Sequence, residues 1–187
     1  MRRVWQVAVS LGLLSIVVIV CADAQKSPRS LDARPTVFVP DDENRGLKNA
    51  NPPSDAILNA LLATSEAKEA HNELSGLNRE DLRDLFEVVR VNLGPADEED
   101  YVVHGTSLPM RGAENDWFWI VRNHRSHVEV VLFANGYSLE LLKTMTSGYR
   151  DIRTVWSAPA YTLTDIYHFD SVRYEHIHRF TRTNRTP

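Results

Sequence analysis

Cysteine is nearly absent from this sequence: Cys21 is the only one among 187 residues. It lies within an apolar N-terminal stretch, and the rest of the chain contains none. Residues beyond that stretch therefore have no disulfide, no thiolate zinc ligand and no cysteine nucleophile. A small exported domain without disulfides must be stabilised by an ordinary hydrophobic core, and the chain is long enough to bury one.

Several functional signatures are also missing. The sequence has no Gly-x-Ser-x-Gly or Ser-x-x-Lys motif of the kind that marks a serine nucleophile. No glycine-rich loop precedes a helix, so we expect no cofactor. Basic runs are absent and the net charge is −4, which becomes −5 without residues 1–24, with 19 basic against 24 acidic residues. These absences argue against nucleic acid as a partner and do not indicate an enzyme.

The N-terminus has the parts of a secretory signal peptide. Two arginines follow the initial methionine, and the apolar stretch "VAVSLGLLSIVVIV" occupies residues 7–20. Ala22 and Ala24 then provide small residues at −3 and −1 of a cleavage site after Ala24. We therefore predict a signal peptide over residues 1–24 and a secreted or periplasmic protein. An uncleaved membrane anchor is the alternative, since the uncharged stretch approaches a spanning length. Acylation of Cys21 is a third option.

Residues 25–53 have the composition of a flexible linker. They contain five of the nine prolines and the polar stretch "DDENRGLKNAN". Such composition buries too little apolar surface to fold alone. Within it, only "TVFV" at residues 36–39 has the pattern of a short strand. We interpret the whole segment as a spacer in front of a single domain over residues 54–182, with a short tail at 183–187.

The domain is predicted to begin with helices over residues 54–86. Ser54 or Asp55 suits a helix N-cap after proline, and apolar residues recur at helical spacing up to Gly76, which suits a helix stop. A second short helix is predicted to begin at Asn78, because Glu80 and Asp81 then occupy its first turn.

From residue 86 to residue 180 the pattern has the period of β-strands. Eight short apolar segments are separated by turn residues, and such regular spacing is typical of an antiparallel meander. The predicted strands are residues 86–93, 100–105, 116–122, 127–133, 137–145, 149–156, 161–169 and 173–180. Gly136 and Gly148 are expected at tight hairpins that need a positive φ. We therefore predict an α+β fold, with N-terminal helices followed by a meander of seven or eight strands.

Short motifs within the meander carry a family resemblance. They are "GPADEEDYVVHG", "NDWFWIVR", "SGYRDIRTVW" and "YHFDSVRY". The chain resembles secreted bacterial proteins with a Gly-Tyr-x-Asp hairpin and a closing Tyr-x-Phe-Asp-Gly-x-x-Tyr hairpin, which are distantly similar to FG-GAP propeller repeats. This resemblance implies a secreted β-meander and no particular ligand. The sequence departs from the pattern at Ser171, which replaces the usual glycine. It also lacks the calcium-binding loop, and eight strands are too few for a propeller.

Aromatic residues are the leading candidates for a binding surface. Trp117 and Trp119 share one face of a predicted strand, while Phe118 takes the other. The two tryptophans either pack in the core or form an exposed platform for a sugar ring or a partner protein. On the second interpretation, the candidate contact residues are Trp117, Trp119, Tyr137, Tyr149, Arg150 and Asp151.

The closing hairpin offers a weaker alternative. If the turn lies at residues 171–172, Asp165 faces His178, and Asp165, His176 and His178 share one face. Such a group is able to bind a divalent metal or to act in hydrolysis. The leading interpretation nevertheless remains a non-catalytic binding protein outside the cytoplasm. Its expected partner is a secreted or envelope protein, including an enzyme that it inhibits, or a carbohydrate; contact with a membrane is expected only through an uncleaved N-terminal segment.

Overall fold

The computed structural model of the chain describes residues 36–40, 46–94, 98–111, 115–124 and 127–184, and these residues form an α+β fold. Four short helices lie between the first and the second of nine strands. The helices are α1 (Asp55–Leu62), α2 (Ser65–Glu69), α3 (His71–Leu74) and α4 (Arg79–Asp84). The strands are β1 (Thr36–Phe38), β2 (Phe86–Val91), β3 (Glu99–Gly105), β4 (Asp116–His124), β5 (His127–Gly136), β6 (Ser138–Thr146), β7 (Tyr149–Ser157), β8 (Tyr161–Phe169) and β9 (Tyr174–Thr183).

The strands form two antiparallel sheets. One sheet has the order β2-β3-β4-β5, and the other has the order β1-β6-β7-β8-β9. From β2 onwards, consecutive strands are neighbours except at the crossing from β5 to β6, where the chain passes from one sheet to the other; β1 belongs to the second sheet, where it pairs with β6. The predicted α+β fold with an antiparallel meander is therefore confirmed, and the eight predicted strands correspond to β2–β9.

Two hydrophobic cores explain why both faces of β4 are apolar. Phe118 and Ile120 belong to the core between the sheets, which also contains Leu139 and Ile152 of the second sheet. Trp119 and Val121 alternate with them and belong to the core between the first sheet and the helices. A strand that is covered on both faces carries apolar residues at successive positions, as β4 does from Trp117 to Val121.

The helices begin where the sequence predicts, but the first one is shorter. Ser54 caps α1, and Asn78 caps α4 in a reciprocal capping box with Asp81. The apolar run expected to form one helix up to Gly76 instead divides into α1, α2 and α3. It divides because Thr64 bonds the carbonyl of Leu61 and caps the next helix through the backbone N–H of Ala67. A residue that caps a new N-terminus ends the helix before it.

The two glycine turns differ. Ser147 and Gly148 have φ values of 51° and 83°, and they form the two-residue hairpin between β6 and β7. Gly136 does not have a positive φ; it lies at the crossing between the sheets. A Cβ atom there would lie 2.9 Å from the carbonyl oxygen of Val155. Glycine is therefore needed at Gly136 because two backbones approach closely, and the predicted hairpin at that position is replaced by a corner.

The linker predicted for residues 25–53 overlaps the folded domain. Thr36–Phe38 form β1 against β6, the side chain of Leu47 is buried, and Asn51 pairs with Val88 of β2. The proline-rich composition hides these contacts because the described part of the segment contributes only two large apolar side chains, Phe38 and Leu47, and the small Ala50 to the core between the sheets. The described part of this segment therefore belongs to the fold.

Three sequence predictions lie wholly or partly outside the described residues. The signal peptide over residues 1–24 and the linker up to residue 35 are among them, and so is the end of the tail at 185–187. Among the described helices, none has the length and apolar character needed to cross a membrane.

Candidate functional site

A groove of about 340 Å³ opens between the two sheets, where β1 of one sheet lies across from β2 of the other. This volume lies near the lower end of the range for small ligand sites. The described residues that line it are Thr36, Val37, Phe38, Val39, Leu47, Lys48, Asn49, Val89, Arg90, Val91, Asn92, Leu141 and Arg150.

Both walls of the groove are outermost strands. β1 and β2 each end the order of their sheet, so each has one edge that no described strand pairs with. At Val88 the edge of β2 is covered by Asn51: the N–H of Val88 donates to the Asn51 carbonyl at 2.8 Å, and the N–H of Asn51 donates back at 2.9 Å. Beyond Val88, residues 89–92 border the groove.

The surface of the groove is mainly aliphatic. Phe38, Leu47 and Leu141 are buried in the core between the sheets, and Val89 and Val91 pack against that core. At the rim, Val37 and Val39 of the opposite wall are 56% and 46% exposed. Apolar side chains that remain exposed beside a cavity indicate a surface that a partner can cover.

The charged residues among the described lining are Lys48, Arg90 and Arg150. The Arg90 guanidinium lies 2.8 Å from the carboxylate of Glu99. Arg150 is buried, and its Nε and Nη2 donate to the carbonyl oxygens of Leu142 and Leu141 at 2.7 and 2.6 Å. These carbonyls lie where the pairing of β6 with β7 is irregular, so Arg150 stabilises the lining of the groove.

A buried histidine fixes the position of Leu47 in the lining of the groove. His104 is fully buried on β3, and its Nδ1 and Nε2 lie 2.8 and 3.2 Å from carboxylate oxygens of Glu87 and Asp116. Glu87 also accepts a hydrogen bond from the backbone N–H of Leu47 at 2.5 Å. Burial alone would lower the pKa of His104, but hydrogen bonds to Asp116 and Glu87 outweigh burial and raise it. The charged imidazolium is therefore favoured, and it holds Leu47 in place through Glu87.

A second network fixes the far end of β2. The N–H of Leu93 donates to Asp100 at 3.1 Å, and the Leu93 carbonyl accepts from the N–H of Arg150 at 2.7 Å. Asp100 is buried, which raises its pKa to about 6, although the hydrogen bond from Leu93 acts in the opposite direction. The walls of the groove are thus held by polar contacts before any partner binds, and such preorganisation reduces the entropy lost on binding.

The two tryptophans of the predicted platform lie in or against the core between the first sheet and the helices. Trp119 is 1% exposed and contacts Phe86 edge-on, with ring centroids 5.5 Å apart. Trp117 is partly buried and packs against the same core, in edge contact with Phe133. Both tryptophans therefore pack with the core, and they do not form an exposed platform.

The other four candidate contact residues are not brought together on a surface either. Tyr149, Arg150 and Asp151 are 8%, 5% and 3% exposed, and Tyr137 alone is open to solvent, at 47%. The Tyr149 hydroxyl donates to Glu98 at 2.5 Å and accepts from Arg122 at 3.3 Å. Of the six candidates, Arg150 alone is among the described residues that line the groove.

A β-bulge changes the pairing predicted for the closing hairpin. Tyr167 pairs with His176 as predicted, but the register then shifts, so His178 lies opposite Ile166 and Arg179 lies opposite Asp165. Arg179 donates two hydrogen bonds to Asp165, at 2.7 and 2.9 Å, and His176 lies 2.8 Å from it. The contacts to Arg179 and His176 lower the pKa of Asp165 despite its burial. The predicted grouping of Asp165 with both histidines is thus replaced by an ion pair, and no group of metal-binding side chains occurs within the described ranges.

Comparison with protein-family models, curated proteins and solved structures finds no significant match. The function must therefore be inferred from the geometry of the site. Sequence reasoning missed most of this site because half of its lining lies in the segment interpreted as a linker. The two available signals were the "TVFV" pattern over residues 36–39 and the isolated Leu47 in a polar stretch.

Proposed function

We propose that the protein is a non-catalytic binding module, secreted or periplasmic, which holds a segment of a partner protein in the groove between β1 and β2. The observation that carries this proposal is a largely apolar groove between two strand edges that no described strand pairs with, whose walls are fixed by buried polar contacts. Concave, largely apolar sites with a few polar groups are the usual form of binding sites. Open strand edges favour an extended chain as the ligand.

A protein partner is favoured over a carbohydrate by the side chains of the groove. Sugar rings are commonly bound on exposed aromatic faces. Phe38 is the aromatic residue among the described lining, and it is 8% exposed. The remaining apolar lining consists of valine and leucine, which match aliphatic side chains better than hydroxyl groups.

The contacts around Asp165, His176 and His178 do not favour hydrolysis as a second function. The carboxylate of Asp165 is occupied by Arg179 and His176, and His178 lies beyond the bulge. A general base or a metal ligand must have lone pairs directed to the reacting group. His176 does line a wider cleft near β5, but Asp165 is not among the described residues of that cleft.

Selection of peptides tests the proposal. A library of random linear peptides is selected against the purified protein, and the Kd of the best binder is measured by fluorescence anisotropy. We expect Val37→Glu and Val39→Glu to weaken binding at least about tenfold, equivalent to ~1.4 kcal/mol, because each places a carboxylate on an apolar wall. Both valines are well exposed, so these changes leave the core intact.

Val172→Glu is the matched control. Val172 is 67% exposed in the turn between β8 and β9, away from the described lining of the groove. The proposal predicts that this variant binds the peptide as the unmodified protein does. Equal binding by all three variants would place the site elsewhere, and failure to select any peptide would contradict a peptide-binding function.

A further inference from the structure

We infer that the groove binds its partner segment as an added β-strand on the open edge of β2, and that this segment carries apolar side chains at alternate positions. The inference rests on the proposed function and specifies its ligand. It concerns the direction of backbone groups on β2 and the pattern of side chains beside them.

The backbone of β2 already shows which groups face the groove side. Val88 directs both its N–H and its carbonyl to Asn51, on the side away from β3. In an antiparallel sheet, alternate residues direct their backbone groups to opposite neighbours. Arg90 lies two residues beyond Val88, so its N–H and carbonyl point to the same side, where β2 borders the groove. An added strand would continue the pairing that Asn51 begins.

The side chains of β2 determine the pattern of the ligand. Phe86 and Val88 belong to the core between the first sheet and the helices, whereas Val89 and Val91 pack against the core between the sheets. A strand beside β2 presents its own residues alternately to the same two faces. Every second residue of the ligand would therefore lie beside Val89 or Val91, against an aliphatic surface, and those residues should be apolar.

Among the residues outside the described ranges, only the stretch at residues 7–20 has apolar residues at alternate positions, and it belongs to the predicted signal peptide, which cleavage after Ala24 would remove. Residues 41–45, between the described ranges 36–40 and 46–94, are "DDENR" and contain no apolar side chain. Residues 25–34 are "QKSPRSLDAR", with a single large apolar residue and no alternation. The segment that fits is therefore supplied by a partner protein.

N-methylation of the selected peptide tests the strand geometry. Each backbone nitrogen is methylated in turn, and the Kd is measured for each peptide. We expect methylation at every second residue to weaken binding at least about tenfold, because those N–H groups donate to β2, while the intervening positions change little. On the protein side, the Arg90 amide should exchange with solvent more slowly when peptide is bound. The Val89 amide, which points to the opposite side, serves as the control.

The outcomes separate this inference from the proposed function. A peptide that is sensitive to Val37→Glu but shows no alternation on methylation would overturn the strand geometry and leave the binding function in place. An unchanged Arg90 amide would overturn it as well. If no peptide is selected, or if binding is insensitive to Val37→Glu, both the function and the strand geometry fail.

Discussion

At Asp100, burial outweighs the backbone hydrogen bonds that favour the charged form. The residue is 1% exposed, Oδ2 accepts from Leu93, and Oδ1 has no hydrogen-bond partner among the described residues. Burial is the largest cause of its raised pKa of about 6, and the nearby Glu98 adds to it. The ionised form is therefore less stable in the folded chain than in the unfolded chain, where the pKa is near 3.8.

Asp100→Asn should stabilise the protein at neutral pH. The amide keeps an oxygen for Leu93 but removes the charge, so we expect a gain of about 1–3 kcal/mol in the free energy of unfolding at pH 8. The gain should disappear below about pH 4, where Asp100 is protonated in both states. Urea unfolding at both pH values measures it, with the exposed Asp84→Asn as control. Destabilisation of equal size at both pH values would contradict the argument.

Ser171 adopts a backbone conformation that favours glycine. Its φ is 93°, in the turn between β8 and β9. Ser171→Gly should therefore raise the free energy of unfolding by about 1 kcal/mol. Ser157→Gly is the matched control, because Ser157 lies in β7, does not have a positive φ and should lose about 0.5–1 kcal/mol. Thermal unfolding compares them, and a loss at both positions would contradict this account.

At the scale of elements, strands β2–β9 were predictable because each depends on local alternation and a turn residue. The caps of α1 and α4 were predictable for the same reason: Ser54 and Asn78 act on residues three positions away or fewer. The bulge between Ile166 and Tyr167 was not, since a one-residue shift leaves no mark in the alternation of exposed polar residues. The crossing at Gly136 was also missed, because hairpins and sheet crossings use the same residue.

The groove was the least predictable part. Its walls come from residues 36–39 and 89–92, far apart in the sequence, and β1 has only three residues. Pairing of β1 with β6 spans about a hundred residues, and no local pattern encodes such a contact. The candidate contact residues are mostly aromatic, yet Trp117, Trp119 and Tyr149 pack in or against the two cores, and Tyr137 alone of the aromatic candidates is exposed.

The stability lost on Phe38→Ala measures how much the packing of β1 contributes to the folded domain. Phe38 is 8% exposed in the core between the sheets, so its truncation should cost about 3 kcal/mol of stability. Val37→Ala, on the exposed side of the same strand, should cost less than about 0.5 kcal/mol. Both values come from urea unfolding. Equal, negligible effects would mean that residues 36–38 behave as the linker that their composition suggests.

For the whole molecule, buried ionisable groups set the dependence of stability on pH. His104 and Asp100 both have raised folded pKa values, so the stability each contributes is present at low pH and is lost as pH rises. The loss for Asp100 centres between about pH 4 and 6, and that for His104 lies above pH 6.5. Asp165 has a lowered pKa, so its contribution is present above about pH 4 and is lost below it.

We therefore expect the melting temperature to be highest at mildly acidic pH and to fall towards pH 8.5. Removing the histidine should abolish the part of the fall above pH 6.5, at the cost of several kcal/mol. His104→Gln takes the cation from Glu87 and leaves Asp116 with Arg111, 3.1 Å away. His127→Gln, at an exposed histidine, should leave the whole profile unchanged. Calorimetry across this range gives the three profiles, and a profile that rises steadily from pH 5 to 8.5 would contradict the assignment.

The central claim, that the groove between β1 and β2 is the binding site, is tested most directly by hydrogen–deuterium exchange of the protein with and without the selected peptide. The account predicts slower exchange over residues 36–39, 47–49 and 89–92, which line the groove. Exchange over residues 173–176, in the wider cleft between β5 and β9, should stay the same. Protection confined to residues 130–133 and 173–176, or no protection anywhere, would contradict it.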